Sequence, residues 1–163
     1  MATIEDGTKD ACQIVVTGLL NDVFDAFSQS FNEWWPMDYR FEEDSFIGLS
    51  PVHGGDCYED TEDGRRLVWG TIENIERPSR LSLFWLISPK RLLISDPQNA
   101  GGIDIGFRQE GHSVVISVEF HGFDNYGEDG QIYQSAMQSS AGWPYCLQEF
   151  RRFWEAQPAL AST

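Results

Sequence analysis

Near its C-terminus the sequence carries a stripe that only a helix lying on other protein can satisfy. At about 100° per residue, Trp143, Cys146, Leu147, Phe150, Phe153 and Trp154 fall within an arc of roughly 120°. Gln148, Glu149, Arg151, Arg152 and Glu155 occupy the remaining surface, with Glu149 and Arg152, and Arg151 and Glu155, one turn apart. Four large aromatic side chains and a leucine on one side cannot face water, so the segment must lie across a sheet or other helices. Pro144 has no amide hydrogen, and the helix therefore either starts there or kinks there, with Ile132 to Ser140 as a separate turn or an earlier segment.

The upstream sequence supplies the surface for that helix to lie on. Cys12, Ile14 and Val16 alternate with Gln13 and Thr17 in a strand ending at Gly18. Leu20, Val23, Phe24, Phe27 and Phe31 then recur at helical spacing, with Asn21 as the candidate cap, through one or two short helices that end in Trp34 and Trp35 before Pro36. From Arg40 to Phe123 turn signals punctuate short β-prone runs: Gly54-Gly55, Glu62-Asp63-Gly64, Arg77-Pro78-Ser79, Pro97 to Gly102 and Glu110-Gly111. This is the pattern of an antiparallel meander. Leu81, Leu83, Trp85 and Ile87 share one face of a strand, leaving Phe84 and Leu86 on the other in need of cover, as a homodimer would give. Val114, Ile116, Val118 and Phe120 alternate with Val115, Ser117, Glu119 and His121 in the last strand, which pairs with Ile103 to Gln109. A polar loop from Asp124 to Gln131 leads to the closing helical region.

Composition narrows the partners. The chain has 163 residues, 41% of them hydrophobic, enough for one core without disulfide staples. We expect one domain over residues 11–156, with flexible tails at 1–10 and 157–163. Against 26 Asp+Glu stand 11 Lys+Arg, a formal net charge of -15, and the only lysines are Lys9 and Lys90. That surface lacks the basic footprint which nucleic acid or an anionic membrane requires. Cys12, Cys57 and Cys146 are odd in number and far apart, which favours free buried thiols, and the first ten residues carry no export signal; both point to the cytoplasm.

Several stretches are similar to the activator of Hsp90 ATPase homologue 1-like (AHSA1-like) family of the START-like, or SRPBCC, superfamily. They run in order: Val23-Phe24-Asp25-Ala26-Phe27 with Trp34-Trp35, Gly54-Gly55-Asp56, Glu62-Asp63-Gly64, Trp69-Gly70-Thr71-Ile72, Pro78-Ser79-Arg80-Leu81 into Trp85, Val114 to Gly122-Phe123, and Gly142-Trp143 leading into Leu147 and Phe150. The resemblance implies an α+β helix-grip fold, in which a curved antiparallel sheet wraps a long C-terminal helix and two short helices follow the first strand. It further implies a cavity between sheet and helix. The wall of that cavity is expected from Trp35, Trp69, Leu83, Trp85, Val118 and Phe120 on one side, and from Met137, Trp143 and Leu147 on the helical side. These are large apolar side chains on faces that must meet, and as single residues they would serve equally well as plain core.

Chemistry-bearing motifs are scarce. His53 and His112 sit at turns and His121 points opposite Phe120, so no histidine has a second metal ligand or a nucleophile at useful spacing. The acidic run Glu59, Asp60, Glu62, Asp63 lacks the twelve-residue calcium-loop pattern and is expected to be a solvated hairpin turn. No phosphate loop, nucleophile elbow or zinc motif is present, so no catalytic residue, metal or cofactor is assigned. The expected function is the binding of a small hydrophobic molecule. Two alternatives stand beside it: a co-chaperone-like interaction module that stimulates an ATPase, and a cyclase or dehydratase using the same cavity, with Tyr133 or Tyr145 as donor.

Overall fold

The structure is a computed structural model and describes residues 11–157; the tails expected at 1–10 and 157–163, Gln157 apart, lie outside the described residues. Among the described residues seven strands and four α-helices follow one another in the order that the sequence pattern sets out. The strands are β1 (Ala11–Thr17), β2 (Phe46–Leu49), β3 (Asp56–Asp60), β4 (Arg66–Glu76), β5 (Arg80–Trp85), β6 (Gly101–Glu110) and β7 (Ser113–His121). The helices are α1 (Leu20–Gln29) and α2 (Phe31–Trp34) after β1, then α3 (Gly130–Gln138) and α4 (Trp143–Glu155) at the end.

All strands join one curled antiparallel sheet in the order β1-β7-β6-β5-β4-β3-β2. From β2 to β7 each strand pairs with its sequence neighbour, and β1 returns to the free edge of β7, where Ile14 faces Ile116 across the ladder. Strand alternation sends Ile14 and Val16, Leu81 and Leu83, Ile103 and Ile105, and Val114, Ile116 and Val118 to the concave side, where all are buried. Two register shifts bend β4. Trp69 is the extra residue opposite Cys57/Tyr58, and Glu73 is the extra residue opposite Leu83/Ser82. An extra residue in one strand kinks it and re-aims its side chain, which is how Trp69 comes to lie in the concave face while Gly70 follows it into the buried layer.

The C-terminal helix lies across this face, as its stripe requires. Trp143, Cys146, Leu147, Phe150 and Trp154 are buried. Phe150 packs edge-on against Phe27, 5.2 Å between centroids, and against Trp34 at 5.3 Å, tying α4 to α1 and α2. At its far end Trp154 donates its indole N–H to the Thr17 carbonyl at 2.7 Å. Gly18 makes that approach feasible: its φ of 154° and a would-be β-carbon 2.7 Å from the Trp154 ring leave no room for a side chain. Pro144 occupies the first turn of α4, so the helix starts there and α3 is a separate segment.

Two local expectations are corrected. Asn21 does not cap α1, because the helix already begins at Leu20 with Leu19 in the cap position and no side-chain cap of its own. Gln109, on β6, does that work from a distance. Its Oε1 accepts from Leu20 N at 2.8 Å while its Nε2 donates to the carbonyls of Gly18, Gly111 and Ser113. The cover that Leu86 was expected to need comes from its own chain: it is buried, its amide bonds Trp69 O, and its carbonyl accepts from Ile94 N in the segment that follows β5.

Gln109 joins the β6–β7 turn to the β1–α1 corner through a single amide. Removing it strips a helix end and three carbonyls of their partner, at a cost of about 1–2 kcal/mol. Urea titration of Gln109→Ala should show that loss as a lower midpoint with unchanged slope, whereas Asn21→Ala, which removes no cap, should leave the midpoint within about 0.5 kcal/mol of the parent.

Candidate functional site

Beneath the start of α4 the packing opens into a pocket of about 230 Å³. Four tryptophans form its inner wall, each delivered by a different element. Trp35 follows α2, Trp69 comes from the β4 bulge, Trp85 ends β5, and Trp143 begins α4. Ring centroids lie 5.3 Å apart for Trp35 and Trp143, 5.6 Å for Trp69 and Trp85, and 6.1 Å for Trp85 and Trp143. Trp35 and Trp69 are nearly parallel at 6.1 Å. Ile47, Ile87, Met137 and Cys146 add apolar surface, and Tyr39, Phe41, Glu59, Arg91, Tyr133, Ala136, Ala141 and Gly142 complete the lining.

The nine residues expected at a cavity wall therefore divide. Trp35, Trp69, Trp85, Met137 and Trp143 border the pocket. Leu83, Val118, Phe120 and Leu147 do not; all four are buried in the core. The polar-looking loop explains part of this. Phe123 opens a short 3-10 helix (Phe123–Tyr126) and sets its ring 5.8 Å from that of Phe120 and 5.4 Å from that of Tyr133. The space that Phe120 would have faced is filled by an aromatic residue from the next turn of chain.

Sequence reasoning also missed polar members. Glu59 is not part of a solvated turn: the turn is Thr61 to Arg65, and Glu59 sits one step inside β3, fully buried beside the pocket. Alternation along Asp56-Cys57-Tyr58-Glu59-Asp60 puts Cys57 and Glu59 on the same inward face, a signal present in the sequence. Its carboxylate is tied down by three donors, Phe41 N at 2.9 Å on Oε1 and Glu42 N at 2.8 Å and Ser45 Oγ at 2.7 Å on Oε2. Arg40 stands alongside, with its guanidinium on Asn32 Oδ1 and on the carbonyls of Asn32 and Trp35. Burial holds the Arg40 pKa below its ordinary value, and the Glu59 charge opposes that shift. These bonds fasten the segment leading from α2 into β2, and so fix Tyr39 and Phe41 at the pocket.

Tyr133, on α3, closes the other side. Its hydroxyl accepts the Trp85 indole N–H at 2.8 Å and donates to Ile87 O at 2.7 Å. Burial pushes its pKa up to about 12, against the pull of the Trp85 N–H and of Arg91. The Cys146 thiol is also raised by burial, so both groups keep their protons at neutral pH. By contrast the indole N–H groups of Trp69 and Trp143 are buried and find no acceptor among the described residues. The elbow between α3 and α4 turns on Gly142, where a β-carbon would come within 2.2 Å of Met137 O.

No family model matches the sequence, and no curated sequence matches it. Solved structures do. The chain is similar to the anthrahydroquino-gamma-pyrone synthase Txn09, at 25% identity over 87% of this chain and 94% of that one, with a TM-score of 0.60. It is similar to CalC, a self-sacrificing resistance protein from Micromonospora echinospora, at 27% identity over 88% and 91%, TM-score 0.61. An AHSA1-like protein from Aeromonas hydrophila shares the fold at 18% identity over 90% and 92%, TM-score 0.55. The fold and its neighbours thus define a helix-grip protein of the START-like superfamily, as the ordered motifs of the sequence suggested. AHSA1-like and synthase-like structures both share its fold. Among the described residues no helix is long and apolar enough to cross a membrane, and no three His, Cys, Asp or Glu side chains gather as a metal site would need.

Glu59 offers the sharpest test of this architecture. Glu59→Gln turns one acceptor atom into a donor facing backbone N–H groups in a buried site, and should lower stability by about 2–4 kcal/mol, against about 1 kcal/mol for Ser45→Ala, by urea titration. Alkali offers a second. Burial raises the pKa values of Cys12 (to about 11), Cys57, Cys146, Tyr126 and Tyr133 (to about 12), so the native state holds these protons more tightly than the unfolded chain does. Their contribution is complete below the unfolded-state values, about 8.5 for Cys and 10 for Tyr, and is lost as pH rises above them. The melting temperature should hold to about pH 8.5 and fall by pH 10.5; a flat profile over that range would contradict the burial.

Proposed function

We propose that the protein binds a small aromatic molecule in the pocket beneath α4. The observation that carries this reading is the four-tryptophan wall around about 230 Å³ of unfilled space, reached at the point where α3 and α4 meet. An apolar void of about 150 Å³ holds one benzene ring, and drug-sized sites begin near 300 Å³. The space therefore suits a core of one or two rings. Flat indole faces favour a planar guest through offset and edge contacts, each worth about 0.5–1.5 kcal/mol beyond area burial. Txn09 and CalC, one a synthase and the other a resistance protein by description, are of similar sequence over most of their length and support a small-molecule role.

The Txn09 likeness also favours a second reading, a cyclase- or dehydratase-type enzyme using the same pocket. The lining speaks for holding rather than reacting. Glu59 accepts three bonds from its own chain, the Tyr133 hydroxyl is engaged as both donor and acceptor, and the Cys146 thiol is held protonated by burial. A general acid or base needs a proton free to move near neutral pH, and these groups are committed elsewhere. We place the protein in the cytoplasm on the free state of its three thiols.

The test is a panel of one- and two-ring aromatic alcohols, ketones and acids, screened by thermal shift, native mass spectrometry and tryptophan fluorescence. A guest at a hundredfold excess over its Kd adds about 2.7 kcal/mol, or roughly 5–10 °C in melting temperature. Ala136→Phe fills the pocket from an exposed position on α3, and should abolish that shift while leaving the unliganded melting temperature within about 3 °C. A panel without a single hit, or a hit indifferent to Ala136→Phe, would remove the pocket as the binding site.

A further inference from the structure

Positive charge is scarce in this chain, and most of it is spent. Among the described residues Arg65, Arg66, Arg77, Arg80, Arg108, Arg151 and Arg152 all stand within ion-pair distance of a carboxylate. Arg40 is half-buried on backbone carbonyls beside Glu59. Arg91 differs. It lines the tryptophan pocket at its exposed side and, like Lys90 beside it, has no carboxylate within ion-pair distance among the described residues; Lys90 is not part of the pocket lining.

Its presentation is built. Arg91 sits in the tight turn after β5, where Arg91 N bonds Ser88 O and Ser88 N bonds Leu92 O, both at 2.8 Å. The Ser88 hydroxyl oxygen accepts from Lys90 N and Leu92 N, which closes the turn. Arg91 itself takes the left-handed conformation at φ 65°, a strain of roughly 1 kcal/mol or more that a bulky residue keeps only where its surroundings impose it. One guanidinium nitrogen donates to Tyr39 O, and the group lies 4.5 Å above the Phe41 ring, which leaves the other N–H donors of the fork for a partner in the pocket.

We propose that the guest is an aromatic anion, a one- or two-ring carboxylate whose rings lie among the tryptophans and whose carboxylate pairs with Arg91 at the mouth. This rests on the pocket-binding reading and narrows it. A net charge of -15 repels anions in general, so a preference for the charged guest can come only from a local cation set against that field. The planar fork of arginine matches a carboxylate with two parallel bonds. Because the guanidinium is exposed, its contribution is modest, and we expect a ratio of roughly five- to tenfold.

The experiment compares naphthalene-2-carboxylate with naphthalene-2-carboxamide by calorimetric titration at pH 7 and 0.1 M salt. The two share rings and shape and differ in charge. The full-length protein should bind the acid about five- to tenfold more tightly than the amide. In Arg91→Gln that ratio should drop to one or below, with the amide affinity unchanged within about twofold, while Arg91→Lys should keep part of the preference. Both variants carry a β-carbon at the same strained φ, so a merely structural role for Arg91 would shift the two ligands together and leave the ratio intact. A ratio near one in the parent, or a ratio that survives Arg91→Gln, would overturn the anion inference and leave the pocket reading standing. Binding of neither probe would overturn both.

Discussion

Everything in this molecule depends on how α4 is held against the concave sheet. Its aromatic edge is fixed at both ends, by the Trp154 indole on Thr17 O at one and by Trp143 among Trp35 and Trp85 at the other. Between them Phe150 is locked by Phe27 and Trp34. Losing any of these rings would cost about 3–5 kcal/mol, so the helix has no freedom to settle deeper. The pocket is what remains at the Trp143 end, where the Gly142 elbow turns the chain back into α3 before another layer of side chains could fill the space.

That division into a solid half and an open half runs along the sheet. Toward β1, β6 and β7 the concave face is tiled by Ile14, Val16, Ile105, Phe107, Ile116 and Val118, all buried in one cluster with the inner faces of α1 and α4. Toward β3, β4 and the end of β5 the facing residues are tryptophans carried on a bulge and on strand and helix ends. Large flat rings fixed by edge contacts at 5–6 Å cannot close over one another as aliphatic chains do. The bulge at Trp69 and the α3–α4 elbow therefore explain the position of the pocket as directly as its walls do.

The architecture was legible in the sequence because each element carries its own period. The arc from Trp143 to Trp154, the alternation of Val114 to Phe120 and the turn signals between strands are local features that packing reinforces. The site was half legible. Trp35, Trp69, Trp85, Met137 and Trp143 border the pocket, but being apolar and inward does not tell a wall from a core, and Leu83, Val118, Phe120 and Leu147 went the other way. What separated them was non-local. Phe123 covers Phe120 from a segment that looks like loop, and Gln109 caps α1 from 89 residues away. Glu59 is different: strand parity placed it inward, and the surrounding acidic run disguised it.

The polar groups of the pocket are arranged so that the unpaired ones are all donors. Glu59, the one buried carboxylate here, is saturated by backbone and serine donors, and Tyr133 both gives and receives. Among the described residues two indole N–H groups, those of Trp69 and Trp143, are buried without acceptors, each at a penalty of about 1–3 kcal/mol, and the guanidinium of Arg91 has no carboxylate at ion-pair distance. On the proposed binding role, a pocket whose acceptors are engaged and whose edge carries an arginine fork would favour guests with oxygen lone pairs over guests rich in N–H.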